Sequence, residues 1–140
     1  MKETVCGILG VIGSAVVHYF GGIDTVLIVL CVFMALDYIS GIVVATVFKK
    51  SPKTESGKVK SSASLKGLFK KLFMLLLVGV AHLLDIVLGI NFIRSGLVIA
   101  FVANETISII ENAGLMGIPI PKVLRDAIEI LNEQEDKENV

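Results

Sequence analysis

Residues 25–48 read TVLIVLCVFMALDYISGIVVATVF, 24 positions with a single charge, Asp37. At about 1.5 Å per residue, a helix of that length covers the ~30 Å of hydrocarbon in a bilayer. This stretch sets the class as an all-α integral membrane protein, and the rest of the chain reads outward from it. Downstream comes KKSPKTESGKVKSSASLKGLFKK, rich in Ser, Gly and Lys, with Pro52. That is loop composition, assigned here to residues 49–67. Its lysines extend into the next segment: Lys49, Lys50, Lys53, Lys58, Lys60, Lys66, Lys70 and Lys71. Phe69 is the single aromatic residue among them, and apolar spans flank both sides. A topology-setting cytoplasmic loop that follows the positive-inside rule is therefore favoured over a nucleic-acid patch.

A second span is expected over 68–90, with Lys70 and Lys71 snorkelling back towards the loop. The third, 95–118, is interrupted by Glu105 and Glu111. From 121 to 140 the chain reads as a short amphipathic helix with an acidic tail, because Val123, Leu124, Ala127, Ile128 and Leu131 recur at helical spacing after Pro121. Upstream, residues 5–20 form a short apolar helix. Lys2 is offset by Glu3 and no small-x-small site follows, which argues against a signal peptide. Three spans result if the N-terminus lies outside and four if it lies inside.

Composition agrees with a membrane chain. Of 140 residues, 54% are hydrophobic and the mean hydropathy is +0.84. The zero net charge conceals a basic middle and an acidic end: six of the thirteen acids follow Pro121. Cys6 and Cys31 sit in apolar runs without CxxC spacing and read as buried, reduced thiols. Two histidines with no further ligand cluster give no zinc site, and no phosphate-binding glycine loop occurs. No catalytic constellation, metal or cofactor is expected, and the chain is read as a non-enzyme.

Seven polar residues stand out inside apolar segments: Asp37, His82, Asp85, Asn104, Glu105, Glu111 and Asn112. An ionisable group at membrane depth costs about 2.5–3.5 kcal/mol on insertion scales, so such groups normally face protein or water. On a helical wheel with about 100° per residue, Asn104, Glu105, Ser108, Glu111 and Asn112 fall within an arc of roughly 120°. This stripe admits three readings: an amphipathic helix lying on the surface, a hydrogen-bonded seam within one monomer, or a face that lines water once copies assemble. The last is preferred. His82 and Asp85 share a face and could pair with each other or with Asp37. Gly41 and Ala45 form a small-xxx-small helix-packing step.

The blocks LDYISGIVVA, SGK…SS…LKGLFKK and ANETISIIENAGLMGIPIPKVLRDAIEIL together resemble the phage lysis and toxin-secretion holins of Gram-positive bacteria. The similarity runs over about residues 25–131, and its most specific part is 103–121. It implies a homo-oligomer in the lipid bilayer of the bacterial cytoplasmic membrane, with the basic loop and C-terminus cytoplasmic. Such proteins form large pores through which an endolysin or toxin passes as cargo, causing timed lysis or protein export, in some cases under an antiholin partner. No nucleic acid is implicated. On this reading Glu105 and Glu111 are partly protonated in the monomer, since burial disfavours the carboxylate, and ionise in the assembled hole. A small oligomeric ion channel or proton-linked transporter using these carboxylates is the alternative, and a membrane adaptor docking a soluble partner is another.

Overall fold

The computed structural model describes residues 1–138, with side chains in the last helix described up to Ile130 and at Glu133. Positions 139–140 of the expected acidic tail lie outside the described residues. Five helices follow one another: α1 (Lys2–Tyr19), α2 (Thr25–Val43), which runs on through a π-helical turn at Val44–Phe48, α3 (Ser61–Leu88), α4 (Ile93–Leu115) and α5 (Lys122–Glu138). Three stretches are long and apolar enough to cross a membrane: Thr25–Phe48, Ser61–Leu88 and Ile93–Leu115. The connections make the three spanning helices run antiparallel in succession. The π turn, the start of α3 and the end of α4 therefore share one end of the bundle, called the inner end below. Asp24, Asp85 and Arg94 share the other.

Each spanning helix buries one seam whose members alternate three and four residues apart. On α2 it is Leu27, Leu30, Met34 and Asp37, continuing to Val44. On α3 it is Met74, Val78, Ala81 and Asp85, and on α4 it is Arg94, Val98 and Glu105. That alternation is what nearly aligned helices need to interdigitate. The dry core is small: Leu27, Leu30, Met34, Met74, Val78 and Val98, with Phe20, Leu75, Leu97, Phe101 and Val102 packed around it. The opposite faces remain apolar and exposed, as at Ile28, Val32, Leu36, Phe73, Leu77, Val80 and Leu84. So large an outward apolar surface suits hydrocarbon as solvent rather than water.

Several boundaries differ from the sequence expectation. Helix α3 begins at Ser61, so Lys66 too is helical and the loop is confined to 49–60. Leu65, Leu68, Phe69 and Leu72 already carry an apolar face at helical spacing there, which outweighs the loop-like Ser and Gly content. Helix α4 starts at Ile93 and stops at Leu115, where Gly117 adopts φ 82° and closes the end. The thiols of Cys6 and Cys31 are free but exposed, not buried, because both lie off the seams.

No residue of α1 is buried. The helix is held at its last turn, where Tyr19 Oη donates to the Leu76 carbonyl at 2.9 Å. Tyr19 also stacks edge-on with Phe20, with centroids 5.2 Å apart. Its ring fills the space over Gly79, where any Cβ would overlap it. Gly79→Val should therefore displace Tyr19 and release α1 from α3. A disulfide between cysteines placed at Tyr19 and Leu76 would not report this, since it removes the tyrosine. Limited proteolysis within residues 20–24 checks it: cleavage unchanged from the parent would show that the clasp does not hold α1.

Candidate functional site

One charged residue from each spanning helix meets its counterparts in the inner half of the bundle. Lys71 Nζ of α3 lies 2.7 Å from Asp37 Oδ2 of α2 and 2.5 Å from Glu105 Oε2 of α4. All three side chains are nearly sealed, at 12%, 9% and 4% exposure. The set extends down α4 to Asn112, whose Nδ2 donates to Ser40 Oγ at 2.8 Å and to Asp37 Oδ1 at 3.1 Å. Gly41 lies beside that amide, and a Cβ there would make an ordinary contact with it at 3.8 Å. Ala45, one turn on, is buried. No buried side-chain nitrogen or oxygen lacks a partner among the described residues.

This geometry corrects the placement of Lys71. It does not snorkel to the loop but points inward, because it occupies the seam one step before Met74 and Val78. Only its neighbour Lys70 is exposed. The fold also sets the Lys71 side chain between Asp37 and Glu105, two acids to one base. Each member needs the others, since removing one partner of a buried pair strands the rest at a cost of about 3–5 kcal/mol.

The polar stripe of α4 divides. Glu105 and Asn112 turn into the bundle and Ser108 lines a cavity of about 190 Å³ between the charged cluster and the basic loop. Asn104 is exposed at the edge of that cavity, and Glu111 is exposed one turn before the end of the helix. Among the described residues Glu111 has no ion-pair or side-chain hydrogen-bond partner. The cavity is lined towards the loop by Lys53, Lys58 and Lys60, and towards the cluster by Asp37, Lys71 and Glu105.

His82, Asp85 and Asp37 do not pair with one another. Asp85 accepts from the backbone N–H of Ile93 at 2.9 Å and of Arg94 at 3.0 Å, capping the start of α4 from a neighbouring helix. His82 rests over Gly21, whose φ of 74° and lack of Cβ the close approach requires. Asp37 is taken by Lys71. The outer end is organised instead by Arg94, at the start of α4. Its Nη1 meets Asp24 Oδ2 at 2.8 Å, while Nε and Nη2 donate to the carbonyls of Phe20 and Gly22. Asp24 in turn caps α2 through the Leu27 N–H at 3.0 Å. The seam spacing from Arg94 to Val98 is the signal that could have found this role.

The hydrogen bond from Arg94, and then that from Leu27 N–H, hold the Asp24 carboxyl below its usual 3.8. A carboxylate depressed on folding stabilises above its unfolded value and loses that contribution as pH falls through the folded value. Asp24→Asn should therefore lower the heat stability of the detergent-solubilised protein at neutral pH. The gap from the parent should close in acid, below 3.8. A gap of constant size from pH 7 to pH 3 would show that the charge of Asp24 is not what matters.

The fold and site define a small three-span membrane protein with an intramembrane charge cluster and a basic loop at one end. A family model for the bacteriophage holin family matches residues 14–133, and the chain belongs to that family. An uncharacterised protein of Listeria monocytogenes is 37% identical over 135 residues, covering 94% of this chain and 90% of its own. An uncharacterised 14.9 kDa protein of Clostridium perfringens, from the nagH 3' region, is 33% identical over 126 residues, covering 89% of each chain. A protein of Bacillus phage phi105 named a probable holin is 28% identical over 103 residues, covering 73% of this chain and 70% of its own. No solved structure matches.

Proposed function

We propose that copies of this chain assemble in the bacterial cytoplasmic membrane into pores wide enough to release an endolysin or a toxin. The basic loop and C-terminal helix then lie on the cytoplasmic side, as the lysines favour. The observation that carries this reading is the outward flank of α4. Asn104 and Glu111 are exposed there, on a helix otherwise apolar enough to span, in line with the exposed small residues Gly96, Ala100 and Gly114. Glu111, facing away from its own bundle, and Asn104, open at the cavity edge, need protein or water opposite them, and small residues let a second helix come close. Another copy supplies the first and an assembled lumen the second. The cluster of Asp37, Lys71 and Glu105, closed within one chain, lets single copies reside in the bilayer until then. Family membership supports the same reading.

The test is induced expression in a bacterium holding a small dye and a folded protein of several tens of kilodaltons. Abrupt, delayed release of both is expected. Loss of membrane potential with the protein retained would replace this reading with that of a small channel or proton-linked transporter. Retention of both would leave a membrane adaptor.

A further inference from the structure

The two ends of the charge pattern come out on the same side of the bundle and do not meet. Seven of the eight lysines between 49 and 71 are exposed, since only Lys71 is drawn inward. The last helix carries Asp126, Glu129, Glu133, Glu135, Asp136 and Glu138 against Lys122, Arg125 and Lys137. Among the described residues the ion pairs are those of Lys71 and Arg94, so the loop lysines, and Asp126, Glu129 and Glu133 of α5, form none there. The apolar side of α5 is equally open, with Val123, Leu124 and Ile130 exposed.

The link before α5 is tied to α4. Gly117 N–H and Ile118 N–H donate back to the carbonyls of Gly114 and Ala113, at 3.0 and 3.1 Å. Ile120 folds against Gly114. Pro119 and Pro121 fix their own φ. The start of α5 is thereby pinned beside the inner end of its own α4.

We propose that the acidic side of α5 docks on the basic loop of a second copy, around Lys53, Lys58 and Lys60. This is a head-to-tail contact: the docking copy keeps its own loop free to receive the α5 of a third, so the interaction propagates round a ring or along an array. Exposed Val59 and Leu65 beside those lysines offer the apolar side of α5 a matching surface. The contact is distinct from the α4 flank, but rests on the reading that copies assemble.

Charge reversal in trans tests it, in full-length protein with Cys6→Ser and Cys31→Ser. One tagged copy carries Ser56→Cys in the loop and a second carries Ile130→Cys in α5, and disulfide cross-linking between them is measured in membranes. The parent pair should cross-link, and less at high salt, where surface charges are screened. Reversing either partner alone, by Lys53→Glu, Lys58→Glu and Lys60→Glu or by Asp126→Lys, Glu129→Lys and Glu133→Lys, should reduce the yield several-fold. Combining the loop-reversed copy with the α5-reversed copy should restore it. Lysine-to-glutamine changes at the same three loop positions, which disturb topology less, should give an intermediate loss. Yields indifferent to charge would overturn the contact, as would rescue only when both reversals share one chain. Ala100→Cys on the α4 flank separates the two ideas. If it cross-links while loop and α5 do not, only this contact falls; if it fails too, the assembly falls with it.

Discussion

Replacing Lys71 with methionine is expected to destabilise the protein by about 3–5 kcal/mol, the cost of leaving a buried charge without its partner. The substitution leaves Asp37 and Glu105 facing one another with no cation between them. A change of that size is a large fraction of the 5–15 kcal/mol that holds a typical fold, so little protein should accumulate in the membrane. Purified in detergent, what remains should aggregate at a lower temperature. Lys71→Arg keeps the charge but brings a wider planar head into the space of an ammonium and should recover only part of the loss. The decisive variant combines Lys71→Met with Asp37→Asn and Glu105→Gln. It removes all three charges together, and a neutral set of similar volume is often no less stable than the ions it replaces. Recovery of accumulation in the triple variant identifies charge balance as the requirement. Normal accumulation of Lys71→Met alone would show that the cluster does not hold the helices together.

Lys66→Gln or Lys70→Gln should do none of this, since both lysines are exposed. That contrast shows where the sequence was legible and where it was not. The three spans followed from length and apolar composition, because hydrocarbon thickness is a constraint that any single segment reports by itself. The depth of a lysine is not such a property. Lys70 and Lys71 are identical neighbours in a basic run, and what separates them is that Lys71 continues the row of Met74, Val78, Ala81 and Asp85. Reading that row backwards from Asp85 would have placed one lysine in the core, but the loop-like SGKVKSSAS preceding it masked the helix. The same holds for the polar stripe of α4. Five residues within one arc looked like one surface, yet the arc is wider than a helix interface. Its Glu105 edge packs against α2 and α3 while its Asn104 and Glu111 edge does not. Asp85 could not be assigned from local pattern at all: it caps a helix whose first turn lies eight residues on, across a reversal of direction at Gly89.

The division of the stripe makes the two glutamates unequal, and this gives the second large expected effect. Changing Asn104 and Glu111 together to leucine should leave insertion and stability near those of the parent, because neither has an ion-pair or side-chain hydrogen-bond partner among the described residues. Release of a protein-sized reporter should nonetheless be strongly delayed or lost. Interhelical polar contacts in membranes contribute about 0.6 kcal/mol each on average, so losing two weakens each pairwise contact by roughly tenfold, and an assembly of many copies multiplies the loss. Glu111→Gln alone, which keeps a hydrogen-bonding group, should shift timing more mildly. Glu105→Gln should behave in the opposite sense. It removes the partner that Lys71 meets at 2.5 Å, so its first consequence should be on stability, with pore timing changed only through the amount of protein present. The measurement is release kinetics at matched membrane protein levels, taken with thermal aggregation midpoints. If Glu105→Gln alters timing at full stability while the Asn104 and Glu111 pair does nothing, the lumen face would have to include the buried edge of the stripe. The helices would then have to rotate or part on assembly, carrying Asp37 and Lys71 away from Glu105.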